Sequence, residues 1–160
     1  LINKLKKEKP TIKFSSDFII GYPGETKDDY IKTIELLKKI KFINSFSFIF
    51  SPRPGTPAAK LEEINKKTAK ERLFQFQNIA NKIKSDYRKS LINTTTKVLF
   101  ENKAKEINKY FGRDEYFNSV IVTSDEDLTG QIRNIKINKC NHNTLFGSLV
   151  LGKQYKDFAA

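Results

Sequence analysis

The sequence contains no methionine and only one cysteine, Cys140, among its 160 residues. A single cysteine excludes an internal disulfide and fits a reducing compartment. No apolar run approaches the length of about 18 residues that a membrane-spanning helix needs. Residues 1–10 also lack the apolar middle and the cleavage site of a signal peptide, so we expect a cytoplasmic protein. Because position 1 is not methionine and LINKLKKE is typical of the last turns of a helix, we expect the chain to begin inside a longer protein.

The formal net charge is +12, which favours a polyanionic partner such as nucleic acid. The excess of basic side chains falls along the chain, from 12 basic and 6 acidic groups in residues 1–60 to 10 basic and 8 acidic groups in residues 97–160. No segment is an all-basic arm. A chain whose lysines simply cover solvated faces would show the same totals, so charge alone leaves both interpretations open.

The first sixty residues read as strand, turn, helix and strand. Residues 13–20, KFSSDFII, have the β-branched and aromatic content of a largely buried strand. GYPGE then predicts a turn, because Pro23 fixes φ at the first corner and Gly24 adopts the positive φ of the second. SFSFIF predicts a second strand, with Phe46, Phe48 and Phe50 on one face.

Between these strands the pattern is that of a helix over roughly residues 27–40. Thr26 and Asp29 have the spacing of a capping box at its start. Its apolar stripe consists of Tyr30, Ile34 and Leu37, with Ile31 and Ile40 alongside. Strand, helix and strand form a βαβ unit, and such units build parallel sheets. Because two parallel strands alone leave long apolar edges, we expect further strands from outside this chain.

The rest of the chain changes from helical to strand periodicity near residue 95. Apolar residues recur every three or four positions over about residues 66–92, which predicts a long packing helix. Five short β segments follow, TKVLFE, INKYF, NSVIV, GQIRNIKIN and TLFGSLV, with turns expected at residues 112–114, 125–127 and 141–143. Five short strands in so short a span suggest a small closed or nearly closed barrel of the OB type.

Two loops rich in proline and glycine follow the two strands of the βαβ unit. We call residues 19–25 and 50–55 the rim loops. Ligands of parallel α/β folds bind at the carboxyl ends of the strands, where both rim loops begin. Proline stiffens such a loop, and glycine lets the backbone approach a ligand closely. One such loop would merely end a strand, but two at the same edge favour a binding site, with Glu25 and Arg53 as its charged groups.

These residues carry a resemblance to a known family. SSDFIIGYPGET followed by FSFIFSPRPGTPA resembles the fifth and sixth strand regions of the radical-SAM methylthiotransferases, most closely the tRNA-2-methylthio-N6-dimethylallyladenosine synthases. KERLFQFQNIANKI resembles the helix that follows the family's partial TIM-like barrel. KVLFENK, GRDEYFNSVIV and LTGQIRNIKINKCNHNTLFGSLV resemble its terminal TRAM domain. The resemblance covers residues 1–150.

The resemblance implies a division of the chain into parts. Residues 1–60 would be the C-terminal βα units of the radical-SAM barrel, and residues 61–95 the connecting helix. Residues 96–151 would be the TRAM domain and residues 152–160 a tail. The fold class is thus α/β plus all-β.

The resemblance also implies a reaction, its cofactors and a substrate. The family methylthiolates isopentenyladenosine beside the anticodon of tRNA, using S-adenosylmethionine and two 4Fe-4S clusters. The rim loops would hold S-adenosylmethionine largely through main-chain groups. The candidate cofactor-binding residues are Ile19, Gly21, Pro23, Gly24, Glu25, Ser51, Pro52 and Arg53.

The chain departs from the family in its cysteines. One cluster needs three cysteines in a CxxxCxxC pattern, and the second needs three more. Cys140 can supply neither set, and His142 stands alone in a turn-like stretch, so we expect no metal ligands and no catalytic residue in this chain. Activity would then require the upstream catalytic half of the same protein, which we expect as its partner besides tRNA.

The TRAM-like region departs from the family as well. Acidic and aromatic residues follow Arg113 where the family is usually polar and basic, and Phe146 stands where arginine is frequent. We therefore expect weak, salt-sensitive tRNA binding through a few phosphate contacts. The candidate RNA-binding residues are Lys82, Lys84, Arg88, Lys89 and Arg113. Tyr110, Tyr116 and Phe117 could add base stacking, although we expect Phe117 to pack inside the barrel.

Other interpretations remain open at this point. The chain could be a non-catalytic RNA-binding module, or part of a sister methylthiotransferase that acts on another tRNA adenosine or on a ribosomal protein. A phosphate-binding βα enzyme is disfavoured, because GYPGE has neither the lysine of a P-loop nor the three glycines of a dinucleotide-binding motif.

Overall fold

The computed structural model describes residues 1–150 of the chain, which divides into two compact units, residues 1–85 and the residues from 86 onward. The first unit contains α1 (Ile2–Glu8), β1 (Ser15–Ile20), α2 (Lys27–Ile40), β2 (Asn44–Ile49), a short 3-10 helix (Pro57–Lys60) and most of α3 (Lys66–Ser90). The second contains the end of α3, β3 (Thr95–Lys103), β4 (Lys109–Asp114), β5 (Ser119–Thr123), β6 (Ile132–Cys140) and β7 (Thr144–Leu149). The predicted tail, residues 152–160, and residue 151 lie outside the described residues. The predicted domain boundaries stay a prediction.

The βαβ unit predicted for the first sixty residues is confirmed. Strands β1 and β2 pair in parallel, in a register that runs from Ser15 opposite Asn44 to Ile20 opposite Ile49. The turn after β1 has the predicted form, because Gly24 adopts φ +83° and the Glu25 N–H donates to the Tyr22 carbonyl at 2.8 Å. Local residue chemistry therefore determines both the strand and its exit.

Helix α2 begins with the predicted capping box. The Thr26 hydroxyl accepts a hydrogen bond from the Asp29 N–H, and the Asp29 carboxylate accepts one from the Thr26 N–H, both at 3.1 Å. These two bonds satisfy N–H groups that the first turn of a helix leaves without partners. The stripe is narrower than predicted: Tyr30 and Leu37 are buried, whereas Ile31 is 42% exposed.

Within residues 1–150 the two-stranded sheet is covered on one face only. On the covered face Ile20, Leu37 and Phe76 are fully buried, and the Phe18 ring lies 4.7 Å from the Phe76 ring. On the opposite face, side chains remain more than half exposed at Ile19 (59%), Phe46 (59%) and Phe48 (58%). The prediction of a largely buried strand therefore holds for the helix-facing side alone. We call the other side the open face.

The second unit is a closed five-stranded barrel, as the sequence predicted for this region. The strand order is β3-β4-β5-β7-β6, and β6 pairs back onto β3. Neighbouring strands are antiparallel except β5 and β7, which pair in parallel. The interior is filled by one apolar cluster, which includes Val98, Phe100, Val120, Val122, Leu128, Ile135, Ile137 and Leu145.

One predicted turn is wrong. Residues 112–114 do not turn but continue β4 through Asp114. Gly112 is there because β3 passes very close: an added Cβ would lie 2.4 Å from the Leu99 carbonyl oxygen. The chain turns after Asp114 instead, where the Asp114 carboxylate accepts hydrogen bonds from the N–H groups of Tyr116 and Asn118, both at 2.9 Å.

None of the helices found among residues 1–150 combines the length and the apolar character required to cross a membrane.

Candidate functional site

The two rim loops start side by side at one edge of the first unit. Because β1 and β2 are parallel and in register, both loops leave the sheet at the carboxyl ends of the strands. The Phe50 N–H donates to the Ile20 carbonyl at 2.9 Å, which extends the pairing into the loops. The Tyr22 and Phe50 rings then meet edge to face with centroids 5.1 Å apart. The loops therefore form one continuous surface.

Glycines in the rim loops leave the backbone accessible. Gly24 and Gly55 both adopt φ +83°, and a Cβ added to either would meet no heavy atom within 4 Å. The stretch from residue 51 to residue 56 is exposed throughout. Such open main chain can donate and accept hydrogen bonds to a polar ligand without displacing side chains. Binding of S-adenosylmethionine through such main-chain contacts stays a prediction.

Glu25 is already engaged within the protein. One carboxylate oxygen accepts a hydrogen bond from the Gly21 N–H at 2.9 Å, and the other lies 2.6 Å from Nη1 of Arg72. Arg72 also donates to the Glu25 carbonyl at 3.0 Å. The two side chains are only 10% and 14% exposed. Glu25 therefore fastens the first rim loop to α3, and its carboxylate has little capacity left for a ligand.

Tyr30 completes this attachment from α2. Its hydroxyl donates to the Arg72 carbonyl at 2.9 Å, and the Arg72 guanidinium lies 5.4 Å from the centre of the Tyr30 ring. Burial raises the pKa of Tyr30 above its usual value. The hydroxyl is therefore neutral at physiological pH and acts as a hydrogen-bond donor. Sequence reasoning missed Arg72, although a charged residue between the buried positions Ala69 and Phe76 of α3 was a signal for a buried partner.

The remaining candidates of the cofactor site differ in their exposure. Gly21 and Pro23 are buried, and an added Cβ at Gly21 would lie 3.0 Å from the Ala69 side chain, so both serve the packing of the loop. Ile19 is exposed on the open face next to Phe48. Arg53 sits in the exposed second loop, where its carbonyl accepts hydrogen bonds from the Thr56 N–H and hydroxyl. Ser51 and Pro52 are exposed beside it.

Residues 1–150 contain no cluster of three or more histidine, cysteine or acidic side chains that could hold a metal ion. Cys140 is half-buried and packs against the barrel core. His142 is exposed, and its carbonyl accepts a hydrogen bond from the Arg88 guanidinium. These positions fit structural or surface roles for both residues.

The predicted RNA-binding residues fall in both units. Lys82 and Lys84 belong to the first unit, whereas Arg88, Lys89 and Arg113 belong to the second. Arg88 is only 6% exposed, and burial lowers the pKa of its guanidinium below the usual value. This burial argues against a direct contact between Arg88 and a phosphate. Lys89 is exposed, and Nε of Arg113 pairs with the Glu101 carboxylate at 3.1 Å.

The predicted stacking residues also differ from expectation. Phe117 is 74% exposed, so the expectation that it packs inside the barrel is wrong. The cause is the turn after β4, in which Phe117 adopts φ +60° and its N–H donates to the Asp114 carbonyl at 3.0 Å. Tyr110 is 5% exposed and belongs to the barrel core, while Tyr116 is half-buried.

Comparison with known proteins gives one consistent relationship. No family model matches the chain. The chain is 48% identical over 155 residues to a tRNA-2-methylthio-N(6)-dimethylallyladenosine synthase of Pelagibacter ubique, an alignment that covers 96% of the chain and 34% of that protein. It is 42% identical to the synthase of Ruthia magnifica, covering 93% of the chain and 34% of the relative. It is 41% identical to that of Vibrio campbellii, covering 94% and 32%.

The chain thus spans about a third of the length of the curated relatives it matches. The aligned portion takes in nearly all of the chain, so it includes both the βαβ unit with its rim loops and the barrel. The chain therefore belongs to the tRNA-2-methylthio-N(6)-dimethylallyladenosine synthase family.

Proposed function

We propose that the chain is the C-terminal part of an enzyme that adds a methylthio group to isopentenyladenosine next to the anticodon of tRNA. The observation that carries the proposal is the identity of 41–48% with synthases of that name along more than nine-tenths of the chain. In such an enzyme S-adenosylmethionine and two 4Fe-4S clusters supply the radical chemistry, the methyl group and the sulfur.

The contribution of this chain to the cofactor site would be made by the rim loops. Their exposed glycine backbone would bind the polar parts of S-adenosylmethionine, and Ile19 on the open face would contact an apolar or aromatic part. Arg53 would add a positive charge at the edge of this surface. Glu25 would act as a positioning residue, because its carboxylate holds the Gly21 N–H and the Arg72 guanidinium rather than facing outward.

The clusters themselves do not fit the residues of this chain, which offers one cysteine. Their ligands would come from the remaining two-thirds of the length found in the relatives. The same remaining portion would supply the strands that cover the open face and extend β1 and β2 into a partial TIM-like barrel. The five-stranded barrel would be the TRAM domain and would contact tRNA in the cytoplasm.

The test uses the full-length gene product that contains this chain, expressed in a bacterium whose own synthase gene has been deleted. The nucleosides of the cellular tRNA are then analysed by mass spectrometry for the 2-methylthio derivative of isopentenyladenosine. We expect the derivative to reappear with the full-length protein. Its absence, with the protein stable and both clusters spectroscopically intact, would contradict the proposal.

A matched pair of variants tests the part played by the first rim loop. Glu25→Gln weakens the attachment to Arg72, whereas Glu35→Gln removes a carboxylate from the exposed side of α2. We expect Glu25→Gln to raise the concentration of S-adenosylmethionine needed for half-maximal activity and Glu35→Gln to leave it unchanged. If the two variants need the same concentration of S-adenosylmethionine for half-maximal activity, Glu25 does not position the cofactor site.

A non-catalytic RNA-binding module is the second candidate, favoured by a barrel that forms a compact unit with its own core. Reading the full-length gene product for cluster-binding cysteines and measuring its tRNA affinity separates the two. A full-length gene product without cluster-binding cysteines that still binds tRNA would support the module and exclude the enzyme.

A further inference from the structure

The outer surface of the barrel carries a strip of apolar side chains that neither the rim loops nor the predicted RNA-binding residues include. The strand register places Phe111 of β4 opposite Ile121 of β5, and Ile121 opposite Phe146 of β7. Their neighbours Gly112, Val120 and Leu145 are buried, so the three side chains point outward. Each is half-buried. We call Phe111, Ile121 and Phe146 the aromatic strip.

A depression of about 280 Å³ lies at one end of this strip. Its lining combines apolar side chains with polar and cationic ones: Lys109, Ile121, Thr123, Asn138, Lys139, Phe146 and Gly147. Gly147 lines the depression with its main chain and lies close against β6, because an added Cβ there would lie 2.4 Å from the Lys136 carbonyl oxygen. Asn138 and Thr123 bring an amide and a hydroxyl that can hydrogen-bond a polar edge.

Cations accompany both aromatic rings of the strip. The Lys139 ammonium lies 5.3 Å from the centre of the Phe146 ring, and the Arg113 guanidinium lies 5.4 Å from the centre of the Phe111 ring. Lys109 lines the same depression and pairs with the exposed Glu106 carboxylate. A ring beside a mobile cation can stack a base while the cation moves to the adjoining phosphate.

We propose that the depression and the aromatic strip bind an unpaired base of RNA, with Phe146 as the stacking surface and Lys139 as the phosphate contact. The proposal rests on the proposed function for the choice of RNA and adds the surface that binds it. Apolar, hydrogen-bonding and cationic side chains in one depression match the π face, the polar edge and the phosphate of a nucleotide. A double helix presents no such free base, so the site is selective for unpaired segments.

The test measures the affinity of the full 160-residue chain for a fluorescent single-stranded RNA and for a blunt RNA duplex of equal length, over a range of salt. We expect the single strand to bind more tightly. Phe146→Ala should weaken binding of the single strand at least about fivefold and leave the salt slope unchanged, because it removes stacking alone. Phe146→Tyr should retain the affinity, and Phe146→Leu should not.

The matched aromatic control is Phe74→Ala, since Phe74 is 65% exposed on α3 in the first unit. We expect no change in RNA affinity. For charge, Lys139→Gln should reduce the salt slope by about 0.7, the value for one phosphate contact on a single strand. Lys38→Gln, on the exposed side of α2, should leave it unchanged. Glu106→Gln should strengthen binding by releasing Lys109.

Equal losses for Phe146→Ala and Phe74→Ala, or equal affinity for duplex and single strand, would overturn the proposal. If Phe146→Ala leaves the RNA affinity unchanged, the proposal is also overturned, and the result would indicate that the aromatic strip binds a protein partner. Thermal unfolding of each variant separates lost binding from lost folding, and Phe146→Leu keeps the test valid if Phe146→Ala unfolds. If methylthiolation is restored in the deletion strain but Phe146→Ala leaves RNA affinity unchanged, this inference is refuted while the proposed function stands. If Phe146→Ala weakens RNA binding but methylthiolation is not restored, only the proposed function is refuted.

Discussion

One ion pair, between Glu25 and Arg72, determines how the first rim loop is held. Both side chains are largely buried, so removing one partner leaves the other charge without compensation. We expect Arg72→Ala to reduce the free energy of unfolding of the first unit by about 3 kcal/mol. Urea unfolding followed by far-UV circular dichroism would measure this, because the helices lie almost entirely in the first unit.

The pair between Arg133 and Glu126 in the second unit serves as a control for this prediction. Its closest approach is 3.2 Å, and the Glu126 side chain is 65% exposed. We expect Glu126→Ala to cost less than about 1 kcal/mol, as is typical of exposed ion pairs. Equal effects of Arg72→Ala and Glu126→Ala would show that burial does not strengthen the Glu25–Arg72 attachment.

A glycine inside β4 sets the spacing between β3 and β4. A methyl group at Gly112 would approach the Leu99 carbonyl oxygen to 2.4 Å and a Val98 methyl to 2.7 Å, so the backbone of β3 would have to move. We expect Gly112→Ala to destabilise the barrel by about 1–3 kcal/mol, the range for overpacked sites. Gly130→Ala, where nothing lies within 4 Å but φ is +75°, should cost only about 1 kcal/mol of backbone strain. Thermal unfolding of both variants makes the comparison, and a milder effect at Gly112 would contradict it.

Residue-level prediction succeeded where the cause is local. Pro23 and Gly24 determine their turn through their own backbone preferences, and the sequence alone was sufficient. The burial of Arg88 and the exposure of Phe117 were not predicted. Arg88 is buried because it reaches the His142 carbonyl more than fifty positions away, and Phe117 is exposed because a turn begins three residues later than the glycine suggested. The first cause cannot be read from neighbouring residues, whereas the second is local, because the Asp114 carboxylate holds the turn.

At the scale of elements, α2 depends on its capping box. Thr26→Ala removes the oxygen that accepts from the Asp29 N–H, and we expect a loss of about 1 kcal/mol in the stability of the first unit. Thr33 offers a matched control within the same helix, since its hydroxyl merely donates to the Asp29 carbonyl four residues earlier. Thr33→Ala should be neutral or stabilising. Urea unfolding of both variants measures the two changes in stability. A loss for Thr33→Ala as large as that for Thr26→Ala would contradict the prediction.

Tyr87, in the last turn of α3, should make the second unit less stable at alkaline pH. Burial raises the pKa of Tyr87 to about 12 in the folded chain, above its usual value of 10. The neutral phenol therefore favours folding, fully below pH 10 and progressively less as pH rises towards 12. We expect thermal stability to fall more steeply across this range in the natural chain than in Tyr87→Phe. Parallel curves for the two proteins would contradict the prediction.

The helices and strands could be predicted almost completely from the sequence, but the contacts that each of them makes could not. Helix α2 spans the range predicted, roughly residues 27–40, because its capping residues and its apolar periodicity are features of the sequence itself. The exposure of Ile19, Phe46 and Phe48 could not be predicted, since an apolar strand looks the same whether one face or two are covered. The rim loops were predicted as a site, whereas the attachment of Glu25 to Arg72 depends on a contact across forty-seven positions.

At the scale of the whole molecule, the two units should differ in resistance to opening. Within the described residues the β1–β2 sheet has two strands and one covered face, whereas every strand of the barrel has two neighbours. We expect amides of β1 and β2 to exchange with deuterium sooner than those of β3 to β7 in the isolated chain. Hydrogen exchange followed by mass spectrometry of peptic fragments tests this ranking. Slower exchange in β1 and β2 would show that the open face does not weaken the first unit.

The strand order of the barrel has a consequence for its synthesis. β7 inserts between β5 and β6, and β6 can pair with β3 before β7 exists. A nascent chain that has emerged only as far as β6 therefore has two unpaired strand edges, on β5 and on β6, and an apolar interior open to water. Among the described strands, β7 with its six residues is the one that satisfies both edges at once. Folding of the barrel must await the last strand, and a chain truncated before Thr144 would expose two edges prone to aggregate.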